Sequence, residues 1–339
     1  IGAGVGGAFA SDTLRALGPN LRIDVYEGSA RVGGRAMDSS ALGEAPSSAV
    51  ELGASMFIGD NRLIAEAATS LGLNTSCRHD DAQALGGTRL AIVGARRTLA
   101  FVEGRAPLAT LGALASRYGP IAGLLAGARL RGLASDFIRN FSALYDELHA
   151  PATPHRSVSS LLRAAHMEEW PRRACAEALA AAGGGALAEL VSGLMRNNYG
   201  QPHGSAGALC CFTAVAPLAA GGSKAAFGIR GGNARLAERM LERAGVTLHA
   251  STRVLGLTRG GRTAEEAATG AAAPYRLHTD RQPAAPPTGY DYVVLAAPCP
   301  TGLQPRLRAA AAQEGGSQAE NLLARCEPMD YQHVHVTLA

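Results

Sequence analysis

The hydrophobic pattern along the chain alternates between a helical and a strand period. Phe9, Leu14 and Leu17 recur at helical spacing over 5–17, and Gly18-Pro19-Asn20 closes the run. Over 21–27, Ile23 and Val25 alternate with polar neighbours, as on a strand, and Glu27 ends it. A helix is predicted over 61–71, with Leu63, Ile64, Ala67 and Ala68 as its apolar stripe. Two short strands are predicted over 89–102, around Gly94-Ala95-Arg96-Arg97. From 108 to 148 the period is helical. It is carried by Leu111, Leu114 and Ala115, then Leu124, Leu125, Ala128 and Leu133, then Phe137, Phe141, Leu144, Tyr145 and Leu148.

Further helices are predicted over 160–166, capped by Ser157 or Ser159, over 170–182 up to Gly183-Gly184-Gly185, and over 187–196. The stretch 205–222 carries no charge, but it is short and rich in Gly and Pro. It reads as a buried helix against a cofactor rather than a membrane span. A helix over 234–244 and strands over 246–249 and 252–257 follow, and 290–298 reads as a buried parallel strand that closes the first sheet. The stretches 260–274 and 282–289 read as low-complexity linkers, and 303–323 as helical and polar.

This order of elements gives the glycines near the start a meaning. Gly2, Gly4 and Gly7 have the G-x-G-x-x-G spacing, Gly6 lies between them, and Glu27 stands 20 residues beyond Gly7. A tight turn, a helix start and a strand ending in an acid suit a dinucleotide: pyrophosphate on the helix N-terminus, ribose on the carboxylate. In a chain with 42 glycines the triplet alone would carry little; the helix, strand and acid at the right distances carry the reading. A second pair, Gly33-Gly34 with Arg35 beside it, permits a close backbone pass and brings a permanent planar cation to the pyrophosphate.

Size and charge narrow the classes. The 339 residues suffice for two domains, and 47% apolar residues for a buried core. A net charge of +4 with no dense basic run excludes nucleic acid as the expected partner. The six cysteines (77, 175, 210, 211, 299 and 326) show neither C-x-x-C nor metal-finger spacing, so they read as buried free thiols, with a disulfide the lesser alternative. No metal site and no Ser/His/Asp set is expected. Asn74-Thr75-Ser76 and Asn140-Phe141-Ser142 fit the glycosylation pattern and favour a secretory route. The chain opens inside the glycine motif and closes on His333-Val334-His335-Val336-Thr337-Leu338, so a fragment lacking both ends is expected.

The block from Arg31 to Arg35 resembles that of FAD-dependent amine-oxidase-like flavoproteins. Four segments together resemble prenylcysteine oxidase, the farnesylcysteine lyase family. They are 1–7; 27–35 with Glu51-Leu52-Gly53-Ala54-Ser55; Met195-Arg196-Asn197-Asn198-Tyr199-Gly200-Gln201; and Gly231-Gly232-Asn233. The doubled Asn departs from the family's pattern. The resemblance implies an α/β fold: a discontinuous Rossmann-like FAD-binding domain (1–75 and 223–300), an inserted helix-rich substrate domain (76–222), and the start of a C-terminal substrate-side region (301–339). FAD would be held by Gly2, Gly4, Gly6, Gly7, Glu27, Gly33, Gly34, Arg35, Gly53 and Val254. Gly53 and Ala54 would bring backbone to the isoalloxazine, and the Val254 backbone would meet the adenine end.

The implied chemistry is oxidation of the thioether of a prenylated cysteine. Hydride leaves the carbon next to sulfur, water adds, and cysteine, prenyl aldehyde and peroxide result, with oxygen as acceptor. Substrate and cofactor carry that chemistry, so no strong base is required. Asn198, Tyr199 and Gln201 are candidates near the flavin, although Asn-Tyr-Gly also suits a helix C-cap. His203 reads as a solvated loop residue. The resemblance also implies a lysosomal or other endomembrane location and raises membrane-surface association. The alternatives are another amine-oxidase-like flavoenzyme acting on amines or polyenes, or a flavin-binding relative without catalysis.

Overall fold

The computed structural model describes residues 1–39, 50–77, 91–93, 99–102, 112, 115–149, 155–181, 188–219, 226–259, 275–281 and 288–298. They form two compact units. One holds the described residues of 1–55, 70–73 and 229–331; the other holds those of 56–69, 74–228 and 332–339.

The first unit begins with helix α1 (Val5–Leu17), whose buried face is Gly7, Ala8 and Ser11. Strand β1 (Asp24–Tyr26) follows. Late in the chain, β6 (Ala226–Ile229) leads into α8 (Ala234–Ala244) and then β7 (Thr247–His249). β7 runs parallel to β1, with Val25 opposite Leu248. Small residues on α1 admit the buried Leu236, Ala237, Met240, Leu241 and Ala244 of α8. Arg15 Nε donates to the Ala244 carbonyl at 2.7 Å, and Arg243 forks onto Asp12 at 2.6 and 2.8 Å. The Gly2 N–H donates to the Tyr26 carbonyl at 2.8 Å. On its other side, Ile1 donates to Val294 and accepts from Ala296, the reciprocal pattern of parallel pairing.

The expected parallel strand over 290–298 is therefore only partly present. Its first residue, Tyr290, belongs to β10 (Thr288–Tyr290), antiparallel to β9 (Tyr275–Thr279), which pairs antiparallel with β8 (Val254–Arg259). Only 294–296 runs beside Ile1, and Tyr292 is 87% exposed, so the segment is not a buried core strand. An apolar run alone does not say on which edge a strand will pair.

The second unit is helix-rich. α3 (Pro120–His149), α4 (Val158–Ala164), α5 (Cys175–Ala181), α6 (Ala188–Tyr199) and α7 (Ala208–Ala219) surround one core. Its centre is Phe137, Met167, Leu179, Val191, Met195, Phe212 and Val215. Trp170 meets Phe137 and Phe212 edge-on, each at 5.0 Å between centroids. α4 has a capping box: Ser157 accepts from the Ser160 N–H, and the Ser160 hydroxyl meets the Ser157 N–H. α5 starts five residues later than the pattern predicts, because 168–174 is turn around Pro171. Among the described residues, no helix is long and apolar enough to cross a membrane.

The unit boundary differs from the expected 1–75 segment. β2 (Phe57–Ile58) pairs antiparallel with β6, and α2 (Arg62–Ser70) carries Arg62, bound to Asp146 at 2.7 Å. Tyr145 donates to Asn61 at 3.2 Å. These contacts draw 56–69 into the helical unit, where β3 (Thr75–Cys77) also lies, and β6 puts 226–228 there too. β4 (Ala91–Val93) and β5 (Leu99–Val102) form the predicted antiparallel pair. Gly94 to Arg97, Leu111, Leu114, Gly183 to Gly185, most of the two linkers, Cys299, Cys326 and 301–339 lie outside the described residues.

The expectation of free thiols is corrected at one pair. Cys175 and Cys211 are disulfide-bonded, 36 residues apart, while Cys210 is a free thiol. Packing of α5 on α7 brings their Cα atoms to 5.7 Å, a proximity that no sequence spacing announces.

Candidate FAD site

Every glycine of the first motif sits at the N-terminus of α1 or in the turn before it. Gly4 is the N-cap and makes no side-chain cap bond, so the first-turn N–H groups of Val5, Gly6 and Gly7 remain for an anion. Gly7 is needed for packing: a Cβ there would strike the Gly2 carbonyl oxygen. A Cβ on Gly4 would lie 3.7 Å from Gly34 Cα, whereas one on Gly6 would meet nothing within 4 Å.

The second glycine pair passes directly beside the first. Gly33 donates to the Ala3 carbonyl at 2.9 Å and bridges in parallel with Gly4. Gly33 and Gly34 have φ of 105° and 61°, a region that L side chains avoid. Arg31 Nη2 donates to the Gly34 carbonyl at 2.7 Å and holds this turn. The Arg35 side chain is exposed, while its carbonyl accepts from the Ala54 N–H at 3.2 Å.

Glu27 is tied into the same cradle. One carboxylate oxygen accepts from the Ala3 N–H at 2.9 Å; the other accepts from the Ser29 N–H and hydroxyl, both at 2.8 Å. Partial burial pushes its pKa up, but these donors and the nearby Arg31 outweigh that and hold it below the ordinary value. Oε2, with the Ala3 N–H as its one donor, keeps lone-pair capacity for a ribose hydroxyl.

The return segment is a ribbon on 35–39. Ser39 donates to Val50, Leu52 to Met37, and Ala54 to Arg35. Gly53 is fixed here by the Arg35 carbonyl, which a Cβ would strike. Glu51 is not an idle solvated acid: it accepts the Asn233 N–H at 2.6 Å. Asn233 is buried; its Oδ1 accepts from Ile229 N–H at 2.8 Å and its Nδ2 donates to the Ala54 carbonyl at 2.6 Å. One side chain thus pins the Gly231-Gly232 turn to the return ribbon. Val254 is buried with Tyr26, Leu257 and Leu277, just after Thr252 donates to the Glu27 carbonyl at 2.8 Å.

Beneath this layer lies a polar cluster that spacing did not reveal. The buried Asp24 carboxylate meets Arg22 at 2.9 Å and His249 at 3.2 Å. His249 stacks on Tyr26, whose hydroxyl is 2.7 Å from that of Tyr290. Burial, then the bond to Tyr26, raises the Tyr290 pKa well above the ordinary phenol value.

Asn198, Tyr199 and Gln201 belong to the helical unit. Gly200, at φ 69°, donates to the Arg196 carbonyl at 3.0 Å, which is the helix-ending geometry that Asn-Tyr-Gly suits. Asn198 is exposed and accepts from Asn197 at 3.3 Å. Tyr199 packs against the helical core, and burial, then Cys210, pushes its pKa to about 12 against the opposing Thr213 bond. His203 is not simply solvated: its Nδ1 lies 2.6 Å from the Ser192 hydroxyl. Among the described residues there is no His/Cys/Asp/Glu cluster able to hold a metal.

The cradle fits a dinucleotide: an uncapped helix N-terminus, a glycine pass and a ribose-facing acid converge on one edge of the parallel strands. The model of the NAD(P)-binding Rossmann-like domain matches residues 1–71. The fold is shared with wild-type putrescine oxidase bound to putrescine (TM-score 0.52, 18% identity, 91% of this chain and 58% of that one). It is also shared with a CLA-producing fatty acid isomerase from P. acnes (TM-score 0.53, 15% identity, 88% and 58%). The chain thus spans 58% of the length of either structure. No curated protein matches the chain. The Rossmann match and the second glycine pass make FAD the cofactor. The prenylcysteine lyase model matches residues 101–338, well over half of the sequence, and the chain belongs to the prenylcysteine lyase family.

Proposed function

We propose that the protein is an FAD-dependent thioether oxidase that cleaves prenylated cysteine, farnesyl- or geranylgeranylcysteine, in the degradation of prenylated proteins. The carrying observation is the family match over 101–338 in a chain whose first 71 residues match the Rossmann-like dinucleotide-binding domain. The net reaction takes prenylcysteine, water and dioxygen to cysteine, prenyl aldehyde and hydrogen peroxide. FAD, when bound, supplies the two-electron acceptor.

The chain's own part is to hold and orient. The N–H groups at the start of α1 and the exposed Arg35 meet the diphosphate charge, and Glu27 accepts from the ribose. Asn233 and Glu51 keep the return ribbon and the Gly231-Gly232 turn in register. With Tyr199 protonated across the physiological range, it serves as a donor and not as a base. That fits a reaction that requires no strong base.

Peroxide release by the FAD-loaded protein, with farnesylcysteine against simple amines, tests the reading. Turnover of farnesylcysteine is expected; turnover of amines alone would place the protein with the amine oxidases and sink the thioether assignment. A colourless protein that takes up no flavin would make it a non-catalytic relative. A lysosomal or endomembrane location belongs to the same proposal. Asn74 is exposed, and the proposal expects it to be glycosylated in secretory-route expression. An unchanged gel mobility after glycosidase treatment would count against that route.

A further inference from the structure

The outer face of α3 (Pro120–His149) carries an exposed apolar stripe. Ile121 is 73% exposed, Leu124 54% and Leu125 55%, and the stripe continues through exposed Ala128 and Gly132. At about 100° per residue these five fall on one side of the helix. Leu130, Ala134 and Phe137 fall on the opposite side and are buried in the core. This end of the helix is therefore apolar on two opposed faces, and only one of them is needed for folding.

The charges sort with the outer face. Arg129 and Arg131 are exposed and lie on opposite shoulders of the stripe, about 80° to either side of Ile121. The sequence has no acidic residue from 104 to 135. An apolar strip with arginines along both edges matches a lipid interface: side chains enter the acyl boundary while guanidinium groups reach back to the phosphates. The stripe spans about 17 Å, so the helix would lie in the plane of the surface.

A second copy fits less well. Three large side chains on one helix fall short of the roughly 800 Å² per partner of a stable dimer. Two-fold pairing would also set arginines against arginines with no acid in the stripe. We propose that the outer face of α3, centred on Ile121, Leu124 and Leu125 and flanked by Arg129 and Arg131, docks the protein on an anionic lipid surface. This does not depend on the substrate assignment.

Flotation of the whole chain with vesicles of phosphatidylcholine alone, or with about a third phosphatidylserine, is the test. Binding to the anionic vesicles and weaker binding to the neutral ones is expected. Leu124→Ser with Leu125→Ser should lower it at least tenfold. Arg129→Gln with Arg131→Gln should remove the preference for phosphatidylserine, about fivefold per arginine. All four side chains are exposed, so circular dichroism and melting should match the parent. Leu17→Ser, 79% exposed in the other unit, should leave binding intact. Failure of the parent to float, equal binding by the leucine variant, or equal loss with Leu17→Ser would each overturn the proposal. A dimer dispersed by the leucine variant, without vesicle binding, would assign the face to a second copy.

Discussion

Asn233 makes the sharpest demand on the fold of the FAD unit. Replacing it by Ala removes two side-chain hydrogen bonds: Ile229 N–H to Oδ1 at 2.8 Å and Nδ2 to the Ala54 carbonyl at 2.6 Å. The backbone is not at issue, since φ −71° and ψ −18° suit Ala. The two losses differ. Ile229 is 3% exposed, so its N–H is stranded, at about 1–3 kcal/mol. Ala54 is exposed and its carbonyl can turn to water, at about 0.5–1.5 kcal/mol. A total of about 1.5–4.5 kcal/mol is expected by urea denaturation. FAD affinity, read by quenching of flavin fluorescence, should fall as well, because the ribbon at 50–54 loses its side-chain tie at Ala54, while the backbone N–H that meets Glu51 is kept. Asn233→Asp keeps the acceptor for Ile229 but points an oxygen at the Ala54 carbonyl, and should be intermediate or worse. A loss below about 0.5 kcal/mol with unchanged FAD binding would refute the pin.

The glycines separate by what lies behind each one. Gly7→Ala should lower the melting temperature sharply, since its Cβ strikes the Gly2 carbonyl, while Gly6→Ala meets open space and should not; equal effects would refute the packing account. Gly4→Val should abolish flavin retention, as its branched side chain crowds Gly33-Gly34 and the anion position; normal flavin absorbance in the purified variant would contradict this. Glu27 has a depressed folded-state pKa, so its contribution is complete above the unfolded carboxylate value and is lost as pH falls through the folded value. Stability measured from neutral to acid pH should decline there, and Glu27→Gln should flatten that limb; an unaltered acid limb would exclude Glu27 as its source.

Much of the FAD unit was legible in the linear order of residues. α1, β1, α8 and β7 fall where the periods and breakers place them, because each is a local element with its own stop: Gly18-Pro19 after α1, and the left-handed Gly245 after α8. The Glu27 spacing works for the same reason, since one helix and one strand have a fixed reach.

What the sequence by itself determined was thus the set of local elements and the chemistry at the ends of two of them. Only the tertiary structure decided which distant residues meet. Cys175 found Cys211 across two helices, and Tyr290 found Tyr26. Asn233 reached back to Ala54 and Glu51, and 56–69 joined the helical unit and not the nucleotide-binding one. Such pairings depend on loop closure and packing of whole surfaces, to which no short window of sequence is sensitive. The same limit explains α3: its period marks an apolar stripe, but only packing shows that Phe137 lies inside and Ile121 faces out.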